Sequence, residues 1–366
     1  MTGTSRVTEP VELGRSREDR AIWGWRFGKG GTRISLIGGC HADEPVGPRL
    51  LRRLVGHLLG REDSLFPDRA SLLENREWWI VPHVNPDGEA RNRVWQEGDP
   101  DAYDLPSYLA HAVRELPGDD MEFGFPRGGG DRGDVEHAPE GPRPDGGGPR
   151  PENLALHDWW LTAEGAFHFH ASLHGMGFAA GPWLLMEPTW AERARPLREA
   201  FRQRAHALGY VLHDVERLGE KGFFRLGRGF ATRPDSRHMR DHFLAWGDEE
   251  MAARFRPSSM ETIRALAGKV PGADPLTLVT EMPLFLTPGV GEELGPPDPA
   301  AAAWQDRIGG WRERVASEGA MGNEIRAEVC EEARAAGLRP MPVLDQMALQ
   351  WEAILQGIRL AEQERG

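Results

Sequence analysis

A layered α/β fold is predicted for this chain of 366 residues by three observations. Short apolar runs closed by Gly, Pro or Asn alternate with stretches whose apolar residues recur at helical spacing. Several of the runs, among them "SLIGG", "EWWIVPHV" and "LTLVTEMPLF", are continuous rather than alternating, as expected for strands buried on both faces. Hydrophobic residues make up 39% of the chain, with 14 Phe and 13 Trp, which is enough for a sizeable core and excludes global disorder.

The first twenty residues are polar and read as an N-terminal segment. "AIWGWRFGKGGTRISLIGGC" then reads as two strands around a Gly-rich turn at 29–31, the second ending at Gly38 and Gly39. "PVGPRLLRRLVGHLLG" follows with Val46, Leu50, Leu51, Leu54, Leu58 and Leu59 on one helical face. The phrase "HADE" at 41–44 therefore falls between a strand end and a helix start. "EWWIVPHVNPDG" is a buried strand broken by "NPDG", read as a turn. Further strands are expected at "AFHFHASL", "GPWLLM" and "LTLVTEMPLF".

Between the third and fourth of these runs, residues 127–150 include eight glycines from Gly128 to Gly148 and almost nothing apolar. They read as a long surface loop; an interdomain linker is the competing reading, set aside because the flanking strands look like parts of one sheet. The resulting division is a polar segment at 1–20, a catalytic domain at 21–290 and a helical C-terminal extension at 291–366. In that extension Leu344, Met347, Trp351, Ile354, Leu355 and Ile358 form one stripe, read as a packing face. No internal repeats are present.

A formal net charge of −13 disfavours nucleic acid and anionic membranes as partners, since both require clustered positive charge. No stretch reaches membrane-span length, and the first residues lack a secretory apolar region. Two cysteines, Cys40 and Cys330, make no disulfide framework. A cytoplasmic enzyme or binding protein is expected, its oligomeric state left open.

His41 and Glu44 leave a strand end three positions apart, where ligands of open α/β sheets bind. Imidazole and carboxylate both suit zinc, and a catalytic zinc needs a third protein ligand and one open position. The best-placed further histidine is His174 in "FHFHASLHGMGF", before glycines that permit close approach.

By spacing alone the pair is weak, but the order of motifs is more specific. "HADEPVG", "NPDGEARNR", "GDDMEFGFPRG" with "RPEN", "SLHGMG" and "VTEMP" resemble, in order and spacing, the zinc carboxypeptidase family from residue 32 to about 286. The resemblance implies a three-layer α/β/α sandwich with a mixed, mostly parallel central sheet. It implies one zinc per chain on His41, Glu44 and His174, with Glu281 as general base and acid. Arg93 is the closest match to the arginine that polarises the scissile carbonyl, with Arg91 as the alternative register. Such a site would hydrolyse an amide by activating water, without an acyl-enzyme.

Two departures stand out. Where the family phrase carries an Asn and an Arg that grip a C-terminal carboxylate, this chain has Glu122 and Phe123. Glu122 offers no bidentate donor, so ordinary carboxylate recognition is not expected there; Glu122 is read as meeting a cationic or donor group of the substrate, and Phe123 as an apolar wall. Where the family has an Asp two residues before the second histidine, this chain has Ser172. Cys40 is assigned to packing, His168 to the interior, and His83 and His170 to the interior or to the outer surroundings of the metal.

The expected activity is zinc-dependent hydrolysis of a peptide or small amide. Two alternatives stand beside it: deacylation of a small N-acylated metabolite, as in the aspartoacylase and desuccinylase branch, and a non-catalytic zinc-binding module.

Overall fold

The computed structural model describes residues 9–98, 101–115, 119, 121–127, 148–214, 216–292, 298–317 and 322–364. Most of the Gly-rich segment lies outside the described residues. In chain order the strands are β1 (Val11–Arg15), β2 (Ala21–Gly28), β3 (Thr32–Gly38), β4 (Arg76–Val81), β5 (Phe169–Ala179), β6 (Trp183–Met186), β7 (Arg225–Gly227), β8 (Phe230–Thr232), β9 (Leu276–Leu286) and β10 (Arg339–Pro340). The helices are α1 (Val46–Leu58), α2 (Arg69–Leu73), α3 (Pro86–Gln96), α4 (Leu105–His111), α5 (Pro151–Leu161), α6 (Arg195–Ala207), α7 (Ser236–Ala245), α8 (Glu249–Arg254), α9 (Ser259–Ala267), α10 (Pro299–Ala316), α11 (Gly322–Ala335) and α12 (Val343–Gln363).

One mixed sheet runs β1-β2-β4-β3-β5-β9-β6-β8-β7, with β10 pairing β9. Its centre, β4-β3-β5-β9, is parallel; β1 and β2 are antiparallel at one margin, and at the other β6 and β8 run parallel to each other but antiparallel to their neighbours β9 and β7. The buried strands alternate between two helical layers. Ile34 and Leu36 of β3 join one apolar cluster with Leu50 and Leu54 of α1 and Ile354 of α12. Ile37 joins the opposite cluster with Leu156 and Trp160 of α5 and Ile263 of α9. These two layers about the sheet make the expected three-layer α/β/α arrangement.

After β3 the chain builds β4 on one side of it, then returns to place β5 on the other. The strand order reverses there, which leaves a crevice at the carboxyl ends of β3 and β5. At Gly39 the backbone takes φ +77°, and an added Cβ would lie 2.5 Å from the His83 ring. Only glycine makes that turn without strain.

Two readings of the sequence change. The polar N-terminal segment contributes the edge strand β1, and Ser16 and Arg20 behind it both donate to buried Asp87. "NPDG" opens a helix instead of breaking the chain: the Asn85 side chain accepts from Gly88 N at 3.0 Å and Pro86 occupies the first turn.

The C-terminal stripe is part of the main core. Trp351 lies 4.9 Å from the Phe66 ring and 6.4 Å from Trp78 of β4, and Gln350 donates to both His174 O and Thr280 Oγ1 at 3.0 Å. Leu344 alone of the stripe is exposed, at 52%. Trp351→Ala is expected to destabilise the whole domain by ~3–5 kcal/mol, the range for truncating a large buried aromatic. A lowered denaturation midpoint with a single transition checks it; melting of α12 alone would contradict it.

Candidate metal centre

Glycine at 39 turns the chain out of β3, so His41 and Glu44 project from the loop before α1 toward His174 on β5. The Nδ1 atoms of His41 and His174 lie 3.2 Å apart. Glu44 bridges them, Oε1 to His41 Nδ1 and Oε2 to His174 Nδ1, each at 2.9 Å. All three donor atoms fall within 4.8 Å of one another. Two imidazoles and a carboxylate so converged suit zinc. The Glu44 side chain is 4% exposed and that of His174 2%, while His41 keeps 18%, so the cluster opens to solvent on the His41 side.

The distal nitrogen of His174 is also held. Its Nε2 lies 2.8 Å from Glu122 Oε2 and 2.8 Å from Ser172 Oγ. A carboxylate accepting at Nε2 keeps the proton there and turns the Nδ1 lone pair toward Glu44 and His41. Burial opposes charge on His174, yet Glu122 and then Cys40 raise its pKa well above the ordinary value. For Glu122 burial works upward, and His174, joined by His41 and Arg114, outweighs it to hold the carboxyl at about 2.

Glu122 thus faces a candidate metal ligand, where the sequence suggested a contact with substrate. Phe123 is 6% exposed, its ring 5.6 Å from Phe255, which makes it packing and no open wall. Cys40 is packed among Ile37 and Trp79 as expected, but its Sγ also comes within 3.5 Å of Ser172 Oγ. The turn at Gly39 breaks the strand alternation that would have sent it away from the site.

Glu281 on β9 is the in-register partner of His174 on β5, so both side chains rise from adjacent strands on one face. Burial raises its carboxyl to about 7, against the pull of His174, His41 and Arg114.

Arg114 was not legible in the sequence. It follows α4 and donates through Nε to Asp43 Oδ1 at 2.8 Å and through Nη2 to Glu44 Oε1. Its partners lie some seventy residues away, and no local pattern announces them. The only available signal was the surplus of acid in "HADE", which calls for a nearby cation.

Arg93 takes a different place. It lies on the outer face of α3, 64% exposed, with Glu97 one turn on at 3.3 Å, and lines a surface pocket of about 230 Å³ with Arg49, Arg52 and Glu89. Arg91 pairs with Glu18. Neither reaches the His41, Glu44 and His174 cluster among the described residues.

The remaining histidines noted in the sequence are structural. His170 is fully buried between Ser35 Oγ and Ser259 Oγ, each at 3.0 Å, and burial lowers its pKa to about 3. His83 accepts from Asn85 N at 3.1 Å, and His168 Nδ1 accepts from Arg33 N at 2.8 Å. Ser258 caps α9, and Arg233 is buried against Glu187.

A buried His-Glu-His cluster at a switch point, with a carboxyl raised toward neutrality beside it, is the equipment of a metal-dependent hydrolase. The chain belongs to the zinc carboxypeptidase family: the family's sequence profile matches residues 2–225, more than half of the chain. Zinc carboxypeptidase A 1 of Anopheles gambiae is 33% identical over 95 residues, 24% of this chain and 21% of the relative. The protein of the same name from Drosophila melanogaster is 31% identical over 103 residues, 25% and 23% of the two chains. The match therefore spans under a quarter of the length of these relatives. Among solved structures, a metallo-carboxypeptidase from Burkholderia cenocepacia aligns with 99% of this chain and 66% of its own at 14% identity and a TM-score of 0.44. No helix among the described residues is long and apolar enough to cross a membrane.

Proposed function

We propose that the protein is a zinc-dependent hydrolase of a peptide or small amide, with one zinc per chain held by His41, Glu44 and His174. The observation that carries this reading is the convergence of those three donors beside Glu281 on the neighbouring strand. Zinc bound there would supply a Lewis acid for a carbonyl oxygen and acidify a water. Glu281 takes the proton of the attacking water on its carboxylate and passes it to the leaving nitrogen, a task matched to a carboxyl near neutrality. Arg114 brings positive charge to the place assigned to Arg93 in the sequence, where negative charge gathers on the substrate oxygen. No covalent acyl-enzyme is needed.

In this reading Glu122 is the group that orients His174 in place of the missing Asp, with Ser172 as its neighbour. Glu122→Gln is expected to weaken zinc binding about 10–100-fold, the usual loss when such an outer partner is removed. Competition with a chelating dye measures it; unchanged affinity would return Glu122 to the list of substrate contacts.

Activity is tested by offering zinc-loaded protein matched blocked peptides and N-acyl amino acids. Hydrolysis of peptides supports the reading. Hydrolysis of N-acyl amino acids alone would make the enzyme a deacylase, and a zinc-bound protein inert to both sets would be the binding module. The low cysteine count supports a cytoplasmic setting.

A further inference from the structure

Glu122 and Phe123 are both committed to the interior, so any anionic group of a substrate must be met elsewhere. The strand order gives a direction for the search: His174 on β5, Glu281 on β9 and Trp183 on β6 follow one another across the sheet, and Trp183 is the direct antiparallel partner of Glu281. Directly opposed residues share a face, so the indole continues the surface that bears the carboxyl. Trp183 is held by Nε1 donating to Met176 Sδ at 3.1 Å, and its ring lies 6.4 Å from Phe223. With Leu185 and Val279 these residues form an apolar floor on the β6 side of Glu281.

Arg217 stands over that floor. Its guanidinium carbon lies 4.4 Å from the centre of the Phe223 ring, and it feels the charges of Glu220 and Glu281. Among the described residues its guanidinium has no hydrogen-bond or ion-pair partner, although the residue is partly buried. The contrast with the other arginines near the site is sharp. Arg114 is engaged by Asp43 and Glu44, Arg233 by Glu187, and Arg225 by Asp214. A planar cation stacked on an aromatic ring, its edge donors unused, is ready for a carboxylate.

We propose that Arg217 receives a carboxylate on the leaving portion of the substrate, with Phe223 and Trp183 beneath the apolar part of the same residue. This rests on the hydrolase reading for the words "leaving portion": Glu281 delivers a proton to the departing nitrogen, and Arg217 lies beyond Glu281 from the metal ligands. The carboxylate has two possible sources, the free end of a peptide or an acidic side chain.

The test is equilibrium binding, which does not depend on turnover. Three probes are titrated calorimetrically into the full chain carrying Glu281→Gln: acetyl-Gly-Phe, acetyl-Gly-Phe-amide and acetyl-Gly-Glu-amide. A charge-assisted pair predicts that one or both carboxylate probes bind about 10–100-fold more tightly than the uncharged amide. The first identifies a chain terminus as the preferred group, the third an acidic side chain. Adding Arg217→Ala should abolish the difference and leave the amide unaffected, while Arg217→Lys should restore part of it. A preference that survives Arg217→Ala, or the absence of any preference for carboxylate, overturns the proposal. Failure of the protein to hold zinc or to hydrolyse amides would defeat the hydrolase reading, while the binding comparison still decides whether Arg217 holds a carboxylate.

Discussion

Glu281→Gln is expected to lower kcat by about 10²–10⁴-fold, the range for losing a positioned proton carrier, with zinc content unchanged. The substitution keeps shape and hydrogen-bonding reach and removes only the ability to accept and return a proton. The native enzyme should show the matching pH dependence. Burial raises the Glu281 carboxyl to about 7. Below that value it is protonated and cannot act as a base; above it the carboxylate is available, so kcat/KM should rise with pH through neutrality. In the Gln variant that limb should vanish from the residual rate. A native profile flat through neutrality, or a variant as fast as the parent, would remove Glu281 from the proton-transfer role.

Replacing His41 and Glu44 together by Ala should eliminate bound zinc. Two of the three donors go; His174 remains beside Glu122 and Cys40, a second group of possible donors, and zinc retained there would move the site to that set. Elemental analysis should find about one zinc per native chain and none in the double variant. A chelator should lower the melting temperature of the native protein and leave the variant unmoved: at a free metal concentration a thousandfold above Kd, binding stabilises the fold by ~4 kcal/mol. Stoichiometric zinc in the double variant would place the metal elsewhere in the chain.

The centre of the fold was legible because burial on both faces writes itself into composition. β3, β4 and β9 are continuous apolar runs, and each was read as a strand. The outermost strands were not, since β7 and β8 span three residues each and β1, "VELGR", has the polarity of an exposed edge. The α12 stripe announced a buried face, but periodicity says nothing of what a face is buried against. Here it is the central sheet.

At the site, the candidate donors could be read because each sits at or beside a strand of the central sheet within a recognisable phrase. Arg93 was assigned by its match to a family phrase alone, and a helix capped at Asn85 puts it one turn before Glu97 on the outer face. Arg114 and Arg217 depend on tertiary neighbours alone. The two departures at Ser172 and Glu122 were noticed separately, and only the fold brings both side chains to the same nitrogen of His174.

Gln350 ties the last described helix to the carbonyl of His174 and the hydroxyl of Thr280. The strands that bear His174 and Glu281 are thus clamped by a residue made long after either of them. During synthesis, His41 and Glu44 emerge early, His174 midway, and the clamp only once the chain has passed residue 350. A nascent chain therefore carries these three side chains unassembled while they wait for α12, and the cluster gains its final rigidity only as that helix docks.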